Sequence, residues 1–197
     1  MDKTLVFIDD GFLSKLSKHF GNGKYLKIHR KDFSEYVCKK ENLFCSKVFV
    51  YTAPPFQTSN FNKEENKRKE GYDKFVSSLI KEGIIIREGR CQRIKNENGE
   101  YEYKQKGVDI LFAIDLMKII TDFPEIKRII LIASDSDFVP IIHELYSKKI
   151  KTILYTYFDR DRNSPFSRSN NLIKSVSKYV KLTKEDFVEI SKWKLKY

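Results

Sequence analysis

Short apolar runs rich in β-branched residues recur along the chain, separated by polar or amphipathic segments. Five such runs predict strands, over residues 5–8, 47–52, 83–86, 128–133 and 151–156. Apolar residues in these runs are continuous and do not alternate with polar ones, which indicates strands covered on both faces by other elements. Since helical patterns lie between the runs, we predict an α/β fold with an open parallel sheet.

Two helical patterns stand out between the predicted strands. The first places apolar residues at i, i+3, i+4, i+7 and i+8, which predicts a helix over residues 63–82 with one apolar stripe. Gly83 would end that helix just before the next strand. The second helix, over residues 107–121, is apolar around most of its circumference. We therefore expect the second helix to be largely buried.

Residues 87–106 depart from this rhythm and predict a β-hairpin. Two strand-like segments flank Asn98 and Gly99, a pair typical of tight hairpin turns. The hairpin would project from the sheet or extend its edge. No linker or internal repeat divides the chain. We therefore predict one domain over residues 1–182, with residues 183–197 as a basic, helical C-terminal extension of it.

The charge of the chain is strongly positive and unevenly distributed. There are 38 Lys or Arg against 27 Asp or Glu, a net charge of +11. Residues 148–197 hold 13 basic and 5 acidic residues, so +8 of the excess lies in the last quarter. A basic surface attracts polyanions, of which nucleic acid is the commonest. A solvated, lysine-rich surface explains the charge equally well at this stage.

The composition argues against several classes of protein. The three cysteines are odd in number and have no CxxC spacing, so they indicate reduced thiols and neither a disulfide framework nor a zinc site. No apolar run approaches the roughly 18 residues that span a bilayer, and we expect a cytoplasmic protein with no membrane partner. Neither GxGxxG nor GxxxxGK[ST] occurs, so nucleotide-cofactor and P-loop interpretations have no support.

Acidic residues follow two predicted strands at the point where each ends. Asp9 and Asp10 come after the first strand, and Asp135 and Asp137 come after the fourth. The carboxyl ends of parallel strands line the crevice in which ligands bind. Asp109, at the start of the second helix, brings a further acid. Converging carboxylates repel one another, and a divalent cation such as Mg²⁺, which prefers oxygen ligands, would reverse that effect.

Each of these acids also has a purely structural explanation. Asp135 or Ser134 could be the N-cap of the following helix, worth about 1 kcal/mol. Asp109 could simply complement the dipole of its helix. One helix needs one capping side chain, so capping leaves Asp137 and Asp9 without an explanation. A shared site for the acids therefore remains the stronger interpretation of the set.

Three further polar residues are candidates for supporting roles. Asp115 lies about 240° around the helix from Asp109, so we expect it to bond a neighbouring element. Asp10 would point away from Asp9 if the strand continued through both residues. Lys106 could neutralise a phosphate of the substrate, or it could be a solvated lysine of the hairpin.

The polar loop after the last predicted strand interleaves basic and aromatic side chains. These are Arg160, Arg162 and Arg168, with Phe158 and Phe166 between them. Such a composition is typical of loops that grip a nucleic-acid backbone and stack on bases. A mobile surface loop is the alternative interpretation.

Three segments, in this order, resemble the NYN domain, a branch of the PIN-like nuclease superfamily. They are VFIDDGFL at 6–13, KQKGVDILFAIDLM at 104–117 and ILIASDSDFVPII at 130–142, with a weaker match of NNLIKSVSKYVKL at 170–182. The resemblance implies a Rossmann-like parallel sheet and an acidic pocket that binds Mg²⁺ or Mn²⁺. It further implies hydrolysis of RNA phosphodiester bonds, and we expect a metal-dependent endoribonuclease.

By motif position, the resemblance implies that the metal-binding and catalytic acids are Asp9, Asp109, Asp135 and Asp137. Ser134 occupies the position of a small hydroxyl or glycine before the last pair. RNA is the expected partner, with single-stranded DNA as a further candidate. Self-association and a regulatory protein partner stay open.

The chain departs from the family pattern at three positions. Asp10 replaces a frequent Gly, Phe12 stands where many relatives have Asn, and Ser177 falls where Asp is frequent. The first two departures motivate a second hypothesis. In that hypothesis the chain is an RNA-binding or regulatory module that keeps the acidic pocket but has weak or no nuclease turnover.

Overall fold

The computed structural model of the protein describes residues 1–159, 161 and 164–193. Its strands are β1 (Asp2–Asp9), β2 (Leu43–Thr52), β3 (Ile85–Glu88), β4 (Arg90–Lys95), β5 (Tyr101–Lys106), β6 (Arg128–Ile132), β7 (Lys151–Thr156) and β8 (Lys178–Lys181). Six of them form one sheet in the order β3-β2-β1-β6-β7-β8, with every neighbouring pair parallel. β4 and β5 form a separate antiparallel hairpin.

Helices connect the parallel strands and cover both faces of the sheet. They are α1 (Asp10–Phe20), α2 (Arg30–Lys40), α3 (Lys63–Lys81), α4 (Val108–Asp122), α5 (Val139–Ser147), α6 (Asn170–Ser175) and α7 (Lys184–Trp193). A 3₁₀ turn (Ser136–Phe138) precedes α5. Within the described residues, no helix has the length and apolarity that crossing a membrane requires.

The strand order identifies where a ligand site belongs in this fold. If only the six strands of the main sheet are counted along the chain, the order is 3-2-1-4-5-6, that of doubly wound Rossmann-like sheets. β1 and β6 lie side by side at the point where the order reverses direction. The predicted α/β, Rossmann-like fold with a projecting hairpin is confirmed.

Alternate residues of β1 enter two separate apolar layers. Val6 and Ile8 pack with side chains of α1, α2 and α7 on one face of the sheet. Leu5 and Phe7 pack with α4 and α5 on the other face. All four side chains are fully buried. Burial of each side chain stabilises the fold by roughly 1.5–3 kcal/mol. The continuous apolar run is therefore needed to stabilise both layers.

The predicted helix and hairpin are both present. α3 begins at a capping box in which Asn62 and Glu65 bond each other's backbone amides. The hairpin turns at Gly99, whose φ of +81° lies in the left-handed region that favours glycine. Because β4 and β5 pair only with each other, the hairpin projects from the main sheet.

The expectation that the second apolar helix would be largely buried is wrong for one side of α4. Val108, Phe112, Leu116 and Ile119 are buried against the sheet. Three apolar side chains on the outer side are exposed: Ile110 by 67%, Ile114 by 44% and Met117 by 42%. α4 is an outer layer, so only one side of it can contact the sheet.

The C-terminal helix packs on the main body of the fold. Phe187 and Ile190 of α7 are buried in the layer that also holds α1 and α2. Residues 194–197, the end of the predicted extension, lie outside the described residues. The division into residues 1–182 and a basic extension remains a prediction.

Candidate metal and nucleic-acid site

Two of the four predicted acids lie where the strand order reverses. Asp9 is the last residue of β1, and Asp135 follows β6 after only two residues. β1 and β6 are paired up to Ile8 and Ile132, so both strands end at the same edge of the sheet. Strand topology therefore brings Asp9 and Asp135 to the crevice in which ligands of such folds bind.

Asp9 is the N-cap of α1, and its Oδ1 accepts a hydrogen bond from the Phe12 amide at 3.0 Å. This corrects the argument that capping leaves Asp9 unexplained: β1 runs directly into α1, so the last strand residue becomes the cap. Burial, which has the largest effect, and the negative charges of Asp109 and Asp10 together raise the pKa of Asp9 to about 6, although the amides of Phe12 and Gly11 lower it. The cap bond of the Phe12 amide uses one of the two carboxylate oxygens, Oδ1.

Asp135 is also an N-cap, as the structural alternative anticipated. Its Oδ1 accepts a hydrogen bond from the Asp137 amide at 2.9 Å and so begins the 3₁₀ turn. Asp137 is exposed in that turn, and Ser134 is half-buried just before it. Since capping again needs a single oxygen, Asp135 combines a local structural role with a free oxygen at the same edge as Asp9.

Asp109 interacts electrostatically with Asp9 and also with Asp135 and Asp137. It lies in the first turn of α4, which begins at Gly107 with a φ of +80°. Partial burial raises the pKa of Asp109, and the negative charges of Asp135 and Asp137 raise it further. The charge of Asp109 in turn raises the pKa of Asp9. Acids from three elements are therefore close enough for their charges to disfavour the ionised forms of Asp9 and Asp109.

No protein cation relieves this repulsion within the part of the chain that the structure describes. None of the four carboxylates is within ion-pairing distance of a described Lys, Arg or His. Among the same residues, no three His, Cys, Asp or Glu side chains are grouped closely enough to hold a metal ion together.

The donor chemistry of the four acids fits a hard divalent cation. All donors are carboxylate oxygens, the type that Mg²⁺ and Mn²⁺ prefer. Mg²⁺ is usually held by one or two carboxylates together with several waters, so a closed cage of protein ligands is not required. A cation among these acids would also remove the repulsion that raises the pKa values of Asp9 and Asp109.

Two open cavities flank the turn that carries Asp135 and Asp137. One has a volume of about 270 Å³ and is lined by residues that include Asp9, Ser134, Asp135 and Lys15. The other, of about 670 Å³, is lined by Asp137 and by Lys174 of α6 among others. Sequence patterns did not single out Lys15 or Lys174, because one lysine among many in a helix carries no distinguishing signal.

Gln105 is a further residue at the site that the sequence did not single out. A methyl group built on Gly11 would lie 3.2 Å from Asp9 Oδ1 and 3.4 Å from Gln105 Oε1. The Gln105 side chain thus extends from the hairpin to the start of α1, where Asp9 is the N-cap. The alternation of Tyr101, Tyr103 and Gln105 along β5 was the available signal, since such residues share one face of a strand.

Asp10 and Asp115 are each committed to an arginine. Asp10 is buried as the first residue of α1, and Arg30 donates to its Oδ1 at 2.8 Å. Asp115 is buried on α4 and accepts two hydrogen bonds from Arg87, at 2.7 and 3.0 Å, and one from the Tyr51 hydroxyl at 3.0 Å. The strand does not continue through Asp10, which explains why its carboxylate enters the interior.

The remaining basic candidates are more dispersed. Lys106 is exposed at the end of β5, and strand alternation directs it to the face opposite Gln105. Arg168 is exposed, with its guanidinium carbon 5.0 Å from the centre of the Phe158 ring. Arg160 and Arg162 lie outside the described residues.

The expectation that Phe166 stacks on bases is wrong. Its side chain is only 4% exposed and packs edge-on against Phe12 and Tyr157. The ring completes the apolar layer beneath the loop, so its face is not open for a base to stack on. Lys15 lies over it, with Nζ 5.3 Å from the ring centre and bonded to the Pro165 carbonyl at 3.2 Å.

Comparison with known proteins agrees with this architecture. A family model described as NYN domain matches residues 4–183. A solved structure of a Vibrio parahaemolyticus protein of unknown function aligns with a TM-score of 0.60 at 16% identity, covering 94% of this chain and 95% of that one. No curated protein matches the chain. At that level of identity, the structural likeness concerns the fold alone.

Proposed function

This chain belongs to the NYN domain family, and from that membership and its acidic site we propose that it is a metal-dependent ribonuclease acting within RNA chains. The observation that supports this most is the electrostatic link among Asp9, Asp109, Asp135 and Asp137. At the carboxyl edge of the sheet the charge of Asp109 raises the pKa of Asp9, and the charges of Asp135 and Asp137 raise the pKa of Asp109, with no ion pair to a described protein cation.

In this proposal the four acids hold one or two Mg²⁺ or Mn²⁺ ions. Asp9 and Asp135 each use Oδ1 in capping, and their second oxygens, together with the carboxylates of Asp109 and Asp137, would be the metal ligands. A bound ion supplies a coordinated water of lowered pKa and neutralises negative charge on the phosphate. Ser134, in the cavity beside Asp9, would contact the substrate or orient a ligand.

The substrate backbone would be held by cations around the acids. Lys15 and Lys174 line the two cavities, and Lys106 lies at the end of the hairpin beside α4. Arg160, Arg162 and Arg168 remain proposed contacts of the neighbouring loop. Contacts of this kind fix the position of the backbone without reading sequence. We therefore expect little base specificity from them.

The direct test is cleavage of a circular RNA, which has no ends and can be opened only by internal cleavage. Wild-type protein should open it with Mg²⁺ or Mn²⁺ and should not do so with EDTA. The double variant Asp135→Asn, Asp137→Asn should lose this activity. Asp122→Asn is the matched control, because Asp122 ends α4 about 20 Å along the helix axis from Asp109. Metal-dependent cleavage that survives in the double variant would rule the proposal out.

One observation favours the second candidate, an RNA-binding module without turnover. Phe12, at a position where the family resemblance anticipates a polar residue, is 5% exposed and belongs to the core. It offers no polar contact to a substrate or metal. Salt-sensitive RNA binding, with no cleavage in Mg²⁺, Mn²⁺ or Co²⁺, would establish this candidate over the enzyme.

A further inference from the structure

Two large aromatic side chains of the hairpin are directed away from the core. Tyr101 and Tyr103 of β5 are 56% and 52% exposed. They are two residues apart on one strand, so they share a face of the hairpin. Their hydroxyls do not require such exposure, since a tyrosine can bury its ring and keep its hydroxyl at the surface. The rings are therefore available to a ligand.

Arg93 joins these rings into one cluster. It lies directly opposite Tyr103 on β4, and directly opposed residues share a face. Its guanidinium carbon is 4.3 Å from the centre of the Tyr101 ring and 5.0 Å from that of Phe56. The Phe56 ring is in turn 5.8 Å from that of Tyr103. These three rings and one cation form a cluster on this face, which we call the hairpin platform: Phe56, Arg93, Tyr101 and Tyr103.

The hairpin platform leads to the acidic site. Gln105 continues the same face of β5, and a methyl group built on Gly11 would lie 3.4 Å from its Oε1 and 3.2 Å from Asp9 Oδ1. With a rise of about 3.3 Å per residue, Tyr103 and Tyr101 lie about 7 and 13 Å further along the strand from Gln105. Phe56 belongs to the loop after β2, at the same edge of the sheet where β1 ends. Two independent elements therefore place the rings next to the acids.

We propose that the hairpin platform stacks successive bases of single-stranded RNA and guides the strand to the acidic site. The inference rests on the proposed function, since it takes RNA to be what the acids cleave. Rings and arginine planes bind unpaired bases with little sequence preference, because every base has a π-face. Bases within a duplex are stacked on each other and are not available. The substrate class is thus single-stranded RNA, with double-stranded RNA excluded from the platform.

Charge on the hairpin agrees with this partner. Residues 90–106 hold five basic and three acidic side chains. Two of the charged residues, Glu102 and Lys104, pair with each other on the face opposite the tyrosines. The platform face itself adds Lys95, opposite Tyr101, to Arg93. An RNA backbone beside the rings would therefore meet positive charge.

The test compares two double variants for binding to a labelled oligouridylate of about 16 nucleotides, in EDTA so that no cleavage occurs. Tyr101→Ala with Tyr103→Ala should weaken binding at least tenfold, since one stacked base is worth about 1–3 kcal/mol. Tyr101→Phe with Tyr103→Phe keeps both rings and should remain within about twofold of wild type. The salt dependence of binding should be unchanged in both, because no phosphate contact is removed.

Three results would overturn the inference. One is an alanine variant that binds like wild type, which would assign the exposed rings to a protein partner. Another is an equal loss in the phenylalanine variant, which would assign the effect to the hydroxyls. The third is an equal loss of affinity for a duplex of the same length. Urea unfolding of both variants should match wild type, because the two rings are exposed.

The platform and the proposed function fail in distinguishable ways. If wild type does not cleave RNA with Mg²⁺ or Mn²⁺ but loses oligouridylate binding on Tyr→Ala substitution, the ribonuclease proposal fails and the platform stands. If wild type cleaves RNA and the alanine variant binds normally, the ribonuclease stands and the platform fails.

Discussion

Asp9 Oδ1 and Gln105 Oε1 border the same small space above Gly11, where an added methyl group would lie 3.2 Å from the first and 3.4 Å from the second. The contact with Asp9 is tighter than a side-chain methyl normally makes, and the contact with Gln105 is at the limit of ordinary van der Waals distance. Asp9 cannot easily move away, because its Oδ1 also holds the Phe12 amide. Glycine at this position therefore keeps the strand end, the helix cap and the hairpin in register.

The first prediction concerns Gly11→Ala. The alanine methyl should displace Gln105 or Asp9 by a few tenths of an ångström and lower metal-dependent RNA cleavage at least tenfold. The free energy of unfolding should change by less than about 1 kcal/mol. The helix preference of alanine over glycine, about 1 kcal/mol, should offset the cost of crowding. Cleavage and urea unfolding, measured on the same preparation, would check both statements.

Gly71→Ala is the matched control for this substitution. Gly71 lies within α3, and a methyl group there would have no neighbour within 4 Å. It should stabilise the protein by about 0.5–1 kcal/mol and leave cleavage unchanged. Equal activity of the Gly11 and Gly71 variants would contradict a functional role for the space above Gly11.

The second prediction concerns Asp9→Asn in metal-free protein. Asparagine caps a helix as well as aspartate does, so the bond to the Phe12 amide is retained. The substitution removes a charge whose burial raises the pKa of Asp9 from 3.8 to about 6. We expect the variant to be more stable than wild type by at most about 3 kcal/mol near neutral pH.

The sign of the pH dependence follows from the raised pKa. Between 3.8 and about 6 the folded state binds more protons at Asp9 than the unfolded state does. Wild type therefore loses stability through Asp9 as the pH rises through this window, and the full cost is present above about pH 6. The advantage of Asp9→Asn should shrink to below about 1 kcal/mol at about pH 4. Urea unfolding in EDTA at several pH values would measure it.

Bound metal should reverse which of the two proteins, wild type or Asp9→Asn, is the more stable. A cation bound only by the folded state adds about 2.7 kcal/mol of stability at a concentration 100 times its dissociation constant. Wild type should gain this stability on addition of Mn²⁺ at about pH 8, and Asp9→Asn should gain less. An equal Mn²⁺ effect on the two proteins would show that Asp9 is not a ligand.

The sequence predicted the elements that depend on strong apolar patterns, and these set the position of the site. The five apolar runs are strands of the sheet, and each places side chains in both apolar layers. A polar sequence could not fill these positions, so the pattern is visible in the sequence. The position of Asp9, Asp135 and Asp137 at strand ends followed from those runs. Parallel pairing then brings the strand ends together.

Other features depended on tertiary contacts that leave a weak local pattern. α2 buries Arg30 beside Asp10, an ion pair joining residues 20 apart that no periodicity reveals. β8 is a four-residue edge strand with a lysine at each end. The loop ring expected to stack on bases, Phe166, is buried, whereas Tyr101 and Tyr103 of the hairpin are exposed. Composition predicted aromatic stacking, but only packing decides which rings stay exposed.

The third prediction concerns Lys174→Ala. Lys174 lines the cavity beside Asp137 and has no described ion pair, so its charge is available to a phosphate. If it contacts one phosphate of a single strand, its loss should reduce the slope of log affinity against log salt by about 0.7. Oligouridylate binding in EDTA at several salt concentrations measures the slope. Lys67→Ala, an exposed lysine on α3, should leave the slope unchanged.

The last prediction separates Asp10 from Asp9, its neighbour in the chain. Asp10 is 7% exposed and forms an ion pair with Arg30, whose side chain is only 10% exposed. Asp10→Asn should leave a buried guanidinium without its counter-charge and destabilise the protein by about 3–5 kcal/mol. Asp2→Asn is the control, since Asp2 pairs with Arg128 at the surface and its loss should cost less than about 1 kcal/mol.

Metal dependence then decides what Asp10 does. If it only holds Arg30, Asp10→Asn should lower the stability of metal-free protein while Mn²⁺ still stabilises the variant by as much as wild type. If Asp10 were itself a metal ligand, Asp10→Asn would lower both the stability of the metal-free protein and the stabilisation that Mn²⁺ adds. Substitutions of the two adjacent aspartates should thus shift metal-free stability in opposite directions, because Asp9 is half-buried near other acids and Asp10 is buried against a cation.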